Sequence, residues 1–220
     1  MPPARVHIRH TEPCDFEGIE RLSRIVYPND FPWTADYLAK HFEVFPEGQF
    51  VAADSETGEV VGMAASLIVR WEEYDEIETY LDVTDGGWFT NHDPEGRTLY
   101  GAEVMVDPGR RGEGIGSAIY ERRKELVRRL GLHRIRAGAR LPGYHAHADK
   151  RSAEEYVRKV ISGQIQDATL SFQLRHGFRV LGVVKDYFAR DPRSRGFAAL
   201  IEWLNEDAVG ADVSSTHEFR

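Results

Sequence analysis

The chain has 220 residues, 41% of them hydrophobic, with a formal charge of -8 and a pI near 5.6. That length suits one core or at most two small ones, and the acidic balance argues against a general nucleic-acid binder, which needs a basic face to displace phosphate counterions. Cys14 alone cannot make an internal disulfide framework, and no charged-then-apolar leader or run of about 18 apolar residues points to export or a membrane, so a cytoplasmic protein with a small-molecule or cationic partner is expected.

In chain order, Val6 to Arg9 reads as a short strand. Asp15 then caps a helix on which Phe16, Ile19, Leu22, Ile25 and Val26 recur at helical spacing. YPNDFPW, Tyr27 to Trp33, breaks that pattern with two prolines, and Thr34 or Asp36 starts a second helix through Phe42. Gln49 to Ala53 and Glu59 to Arg70 form a hairpin around DSETG. Residues 71–96 carry nine acidic side chains and no lysine or arginine. They read as a solvated insertion, or functionally as an acidic lip for a cationic substrate.

Thr98 to Val106 is a further strand, Ile115 to Arg129 an amphipathic helix and His133 to Arg140 another strand. Asp149 to Ser162 reads as a helix with a capping-box pattern at Ser152 and Glu155. A short helix from Thr169 to His176 stops at Gly177, and Phe178 to Arg190 and Ala198 to Trp203 are extended. One domain over residues 1–205 is expected, with insertions near 71–96 and 141–166 and a loose polar tail at 206–220. Strands and helices alternating around a central strand-to-helix unit give a mixed α/β (α+β) fold with a largely antiparallel sheet.

The junction VMVDPGRRGEGIG, Val104 to Gly116, asks for a ligand. Free N–H groups at a helix start carry partial positive charge, and glycines let an anion approach the backbone. Gly112, Gly114 and Gly116 clear the way, and Arg110 and Arg111 add charge. A dinucleotide fingerprint fails because its third glycine would fall at Ser117, and a P-loop fails because Ser117 follows Gly116 with no lysine.

What matches is R-x-x-G-x-G at Arg111, Gly114 and Gly116, preceded by Val106 and Pro108. This resembles the acyl-CoA pyrophosphate loop of the GNAT N-acetyltransferases. Phe172 to Phe178 is similar to that family's closing aromatic-Tyr-x-x-x-Gly-Phe pattern, and Ile8, Arg9, Asp15 and Ile19 to its opening strand and helix. More narrowly, RLPGYHAHADK, SGQIQDATLSFQLRHGF and RDPRSRGFAALIEW resemble the acetyltransferase module fused to bacterial carbon-nitrogen hydrolases; the chain has no room for a hydrolase and reads as a stand-alone relative.

The resemblance implies a GNAT fold, with helices on both faces of a mostly antiparallel sheet containing a splayed strand pair. It also implies acetyl-CoA as cosubstrate, held by Val104, Met105, Val106, Arg111, Gly112, Glu113, Gly114, Ile115, Gly116 and Ser117, with Ser171 and Gln173 from the closing helix. Val104 to Val106 would supply main-chain donors to the oxyanion. A homodimer is expected by analogy, and neither a metal nor a nucleic-acid partner is implied.

Acetyl transfer to a primary amine needs a base, because the ammonium is mostly protonated near neutral pH. Glu103, one residue before the binding stretch, is the first candidate; the alternative is a salt bridge to Arg136 or Arg140. His145 and His147 are further candidates with naturally suitable pKa values. The family's leaving-group tyrosine falls at Gln173, which cannot act as an acid. Ser171, Tyr144 or Tyr187 then offers a hydroxyl, or the thiolate takes its proton from water or from the amine. Arg140, Tyr144, His145 and His147 either bind the acceptor or brace their loop. The sequence therefore points to an N-acetyltransferase of a small amine; alternatives are a protein or peptide N-acetyltransferase and a non-catalytic acyl-CoA sensor.

Overall fold

The computed structural model describes residues 6–28, 32–74, 78–188 and 190–208. Seven strands, β1 (Val6–His10), β2 (Phe50–Asp54), β3 (Val60–Val69), β4 (Thr98–Val106), β5 (Arg134–Arg140), β6 (Arg179–Val184) and β7 (Ala198–Leu204), form one sheet in the order β1-β2-β3-β4-β5-β7-β6. Every neighbouring pair is antiparallel except β4 and β5. The mixed fold expected from the element pattern is the one observed.

Among the described residues there are six α-helices: α1 (Phe16–Val26), α2 (Ala35–Val44), α3 (Tyr80–Val83), α4 (Ile115–Arg129), α5 (Ala153–Ile161) and α6 (Leu170–Arg175). Ile19 and Leu22 of α1 and Leu38 of α2 pack with Val51, Met63 and Leu67 on one side. Ile115, Ile119 and Val127 of α4, Tyr156 and Val157 of α5 and Leu170 of α6 form the core on the other. Each of these five helices therefore buries an apolar stripe against the sheet.

The expected helix α4 has the bounds read from its periodicity, and Gly177, at φ 78°, ends α6 in the left-handed conformation that glycine tolerates. One expectation needs correction. The acidic stretch at 71–96 is not merely solvated: Trp71, Val83, Thr84 and Phe89 are buried and Phe89 stacks on His41, while Glu72, Glu73, Asp82, Asp85 and Glu95 face out. The stretch at 141–166 likewise gives Tyr144, Tyr156, Val157 and Val160 to the core. In both, a few apolar residues between charged ones decide the packing. The tail beyond residue 208 lies outside the described residues.

Candidate active site

The parallel strands β4 and β5 pair only from Thr98–Arg134 to Tyr100–Arg136. Beyond that point β5 stays paired to β7 as far as Arg140, and β4 stays paired to β3 as far as Val106. A wedge therefore opens between them, leaving the β5-side edge of β4 without a strand partner among the described residues. A register shift in β4, with Ala65 opposite Glu103 and Ser66 opposite Gly101, marks a bulge at Ala102. Bulges re-aim the side chains beside them, and here that side chain is Glu103.

Glu103 Oε1 accepts from Tyr27 Oη at 3.0 Å and from Val104 N at 2.9 Å, and Oε2 accepts from Trp33 Nε1 at 3.5 Å. Although its surface is partly accessible, protein surrounds the carboxyl, and this desolvation raises its pKa; Tyr27 and the positive field of Arg140 offset part of the rise. Among the described residues Glu103 forms no salt bridge. Arg136 pairs instead with Glu202 at 2.9 Å, and Arg140 with Asp191 at 3.0 Å, while the Arg140 guanidinium also lies 4.9 Å from the Tyr27 ring centre. The buried Arg123 of α4 donates to the main-chain oxygens of Glu103 (2.5 Å) and Ala65 (2.6 Å), fastening the helix to the bulge.

Where β4 ends, Asp107 caps a single turn at Pro108–Arg110 by accepting from Gly109 N. Arg110 is then committed: its guanidinium binds Glu113 and Asp54, both at 2.8 Å, and holds the Asp54 carboxyl at about 2. Arg111 is exposed and makes no ion pair among the described residues. Gly112 (φ 86°) and Gly114 (φ 84°) take left-handed conformations, and a Cβ on either would meet nothing within 4 Å. The N–H groups of Ile115, Gly116 and Ser117 start α4 with no acceptor among the described residues. An open glycine approach, unspent N–H donors and a free arginine fit a phosphate or pyrophosphate.

The remaining sequence candidates fall as follows. Val104, Met105 and Val106 line β4 as expected, but the Val104 N–H is spent on Glu103. Tyr144 is buried against Tyr156 and Phe197, and its hydroxyl donates to Arg151 O. His145 is exposed with Nδ1 at Pro142 O, and His147 contacts Arg151. Tyr187 is buried, fills space left by Gly138 and shares its hydroxyl with Tyr100. Ser171 Oγ accepts from Asp167 N. Gln173 donates to Tyr120 Oη at 3.0 Å. The Tyr144 hydroxyl thus spends its proton within the protein, whereas Ser171 Oγ accepts without an acceptor for its own proton among the described residues and His145 stays exposed. Tyr27, Trp33, Tyr120 and Arg123, which gather around Glu103 and the wedge, carry no motif in the sequence; only their contacts reveal them.

The splayed parallel pair, the bulge carrying a carboxylate and the glycine-rich helix start coincide with a family match. The model of the Acetyltransferase (GNAT) family covers residues 16–148. The chain belongs to that family. It is 44% identical over 200 residues to the probable hydrolase YhcX of Bacillus subtilis, a match that takes in 91% of this chain but 39% of YhcX. It is 36% identical over 202 residues to YkwB of the same organism, an uncharacterized N-acetyltransferase, covering 90% of this chain and 88% of that protein. Among solved structures, the loading GNATL domain of CurA from Lyngbya majuscula superposes with a TM-score of 0.78 at 19% identity, over 90% of this chain and 97% of that one. The GNAT-like decarboxylase GphF, in complex with isobutyryl-CoA, gives 0.73 at 21% identity, over 90% and 98%. Both show the same fold.

Proposed function

We propose that this GNAT protein transfers an acetyl group from acetyl-CoA directly to a primary amine of a small molecule. The observation that carries the reading is the placement of Glu103 on the bulge of β4, at the mouth of the wedge and on the strand that leads into the glycine-rich start of α4. Arg111, Gly112, Gly114 and the first N–H groups of α4 would hold the pyrophosphate, and the open edge of β4 would bind the arm beyond it. Bound there, acetyl-CoA supplies an acyl group activated as a thioester.

Glu103 takes a proton from the acceptor's ammonium. A carboxyl raised by burial is a stronger base than an exposed one, and Tyr27 and Trp33 fix its direction. With the Val104 N–H engaged, the oxyanion takes its main-chain donors from farther along β4. Arg140 is held by Asp191 rather than free to bind an acceptor carboxylate, which favours a simple amine.

Calorimetric titration with acetyl-CoA and CoA, followed by thiol release against pooled amines, tests the reading. Binding with amine-dependent thiol release is expected. Tight binding without transfer across a broad amine panel would replace it with an acyl-CoA sensor.

A further inference from the structure

Glu103 stands among aromatic side chains. Tyr27 and Trp33 donate to it from one side. On the other, burial and then the Glu103 charge raise the pKa of the Tyr80 phenol, and the Tyr80 ring lies 5.6 Å from that of Phe188. Phe188 in turn lies 5.8 Å from the Arg140 guanidinium that also faces Tyr27. All four rings are only partly buried, although each packs on the core that α1 and α2 share with the sheet.

From Trp33 the aromatic surface runs outward. Trp33 meets Tyr37 edge-on at 5.8 Å, and Tyr37 stacks at 4.1 Å on Trp88, which is 39% exposed. Leu81, next to Tyr80, is 59% exposed. An apolar surface that leads from solvent to one fixed polar group is the make-up of a small-molecule site.

The charges around Glu103 narrow what the acceptor carries besides its amine. Two carboxylates of the acidic segment are held within it: Asp82 accepts from Thr79 N and Oγ1, and Asp85 accepts from Thr90 Oγ1. Arg140 is paired with Asp191, and Arg123 is directed at main-chain oxygens. These groups therefore offer no counter-charge to a second ammonium or to a carboxylate, whereas an apolar group finds four rings. A ring suits such walls better than an alkyl chain, because aromatic pairs gain from edge-on and offset contacts beyond the area they bury.

We propose that the acceptor is a primary arylalkylamine, its ammonium at Glu103, its ring among Tyr27, Trp33, Tyr80 and Phe188, with Leu81 and Trp88 as the apolar entrance. This rests on the acyltransferase reading and adds the class of amine to it. Transfer makes the amide carbon–nitrogen bond and breaks the thioester carbon–sulfur bond. Of the two protons that the ammonium loses, one passes through Glu103 to solvent and one ends on the CoA sulfur.

The test compares phenethylamine, ethylamine, putrescine and alanine as acceptors for the full chain with acetyl-CoA. Phenethylamine should exceed each of the others in kcat/KM by at least about thirtyfold, as burial of one phenyl ring warrants. With CoA bound and no turnover, calorimetry should find phenethylamine at least about tenfold tighter than ethylamine. Trp88→Ala, which alters an exposed side chain, and Tyr80→Leu should each lower the phenethylamine-to-ethylamine ratio by about fivefold. Equal rates for those two amines, a preference for putrescine or alanine, or an unchanged ratio in both variants would overturn the arylalkylamine assignment and leave the acyltransferase reading standing. Failure of the unaltered protein to bind CoA would overturn both.

Discussion

Arg123 holds the carbonyl oxygen of Glu103 at 2.5 Å, so that a cation with no carboxylate partner among the described residues fixes the backbone of the proposed base. Burial lowers the pKa of this guanidinium, and its Nε has no partner. Carrying an unpaired buried cation is expensive, and the register it enforces at the bulge is the return. Arg123→Met should remove the donor to two buried carbonyls and lower stability by about 1–3 kcal/mol. It should also reduce kcat more than KM for acetyl-CoA, because the carboxylate loses its aim while the glycine loop is untouched. Urea unfolding and steady-state kinetics on one preparation check both.

Glu103→Gln should lower kcat at neutral pH by about a hundredfold, with partial recovery at high pH as the amine deprotonates without help. Its stability should move the other way. The folded-state pKa of Glu103 lies above the unfolded value, so the native protein holds that proton more tightly and loses stability as pH rises through the folded pKa. Glutamine carries no charge to desolvate. The thermal midpoint of Glu103→Gln should therefore exceed that of the unaltered protein at pH 7 and approach it in acid.

His41 makes the opposite contribution. Buried against Phe89 with Nε2 at Gly87 O, it is lowered from 6.5 to about 4, mainly by desolvation. A depressed folded-state pKa means that stability is intact above 6.5 and falls as pH drops toward 4, by on the order of 3 kcal/mol. In His41→Phe that acid loss should shrink, which a series of urea melts between pH 7 and pH 4 would show.

Gly114 separates two effects at the anion loop. Gly114→Ala places a Cβ in open space but forces φ 84° on a residue that resists it, at about 1–2 kcal/mol. Gly114→Glu adds a carboxylate where the phosphate would approach, and should weaken acetyl-CoA binding at least about tenfold beyond alanine. Calorimetry on the two variants distinguishes strain from charge; equal affinities would remove the loop from the binding site.

Local rules decided much of this protein. The 3.6-residue spacing of α1 and α4, the hairpin around residues 54–59 and the left-handed Gly177 all depend on neighbours within a few positions, and so were readable along the chain. The glycine junction was legible for the same reason, since a helix start that admits an anion is built from consecutive residues. Arg110, however, turned out to be spent on Asp54, 56 residues earlier.

The surroundings of Glu103 had no such local cause. Tyr27 and Trp33 lie 76 and 70 residues from it in sequence, and the bulge that aims it depends on pairing with β3. The place of Gln173 beside Tyr120 likewise depends on the packing of α6 on α4. Sequence determined the elements and the anion loop because their physics is short-ranged; desolvation, ion pairing and the sharing of hydrogen bonds depend on which distant groups meet, and only the tertiary structure decides that.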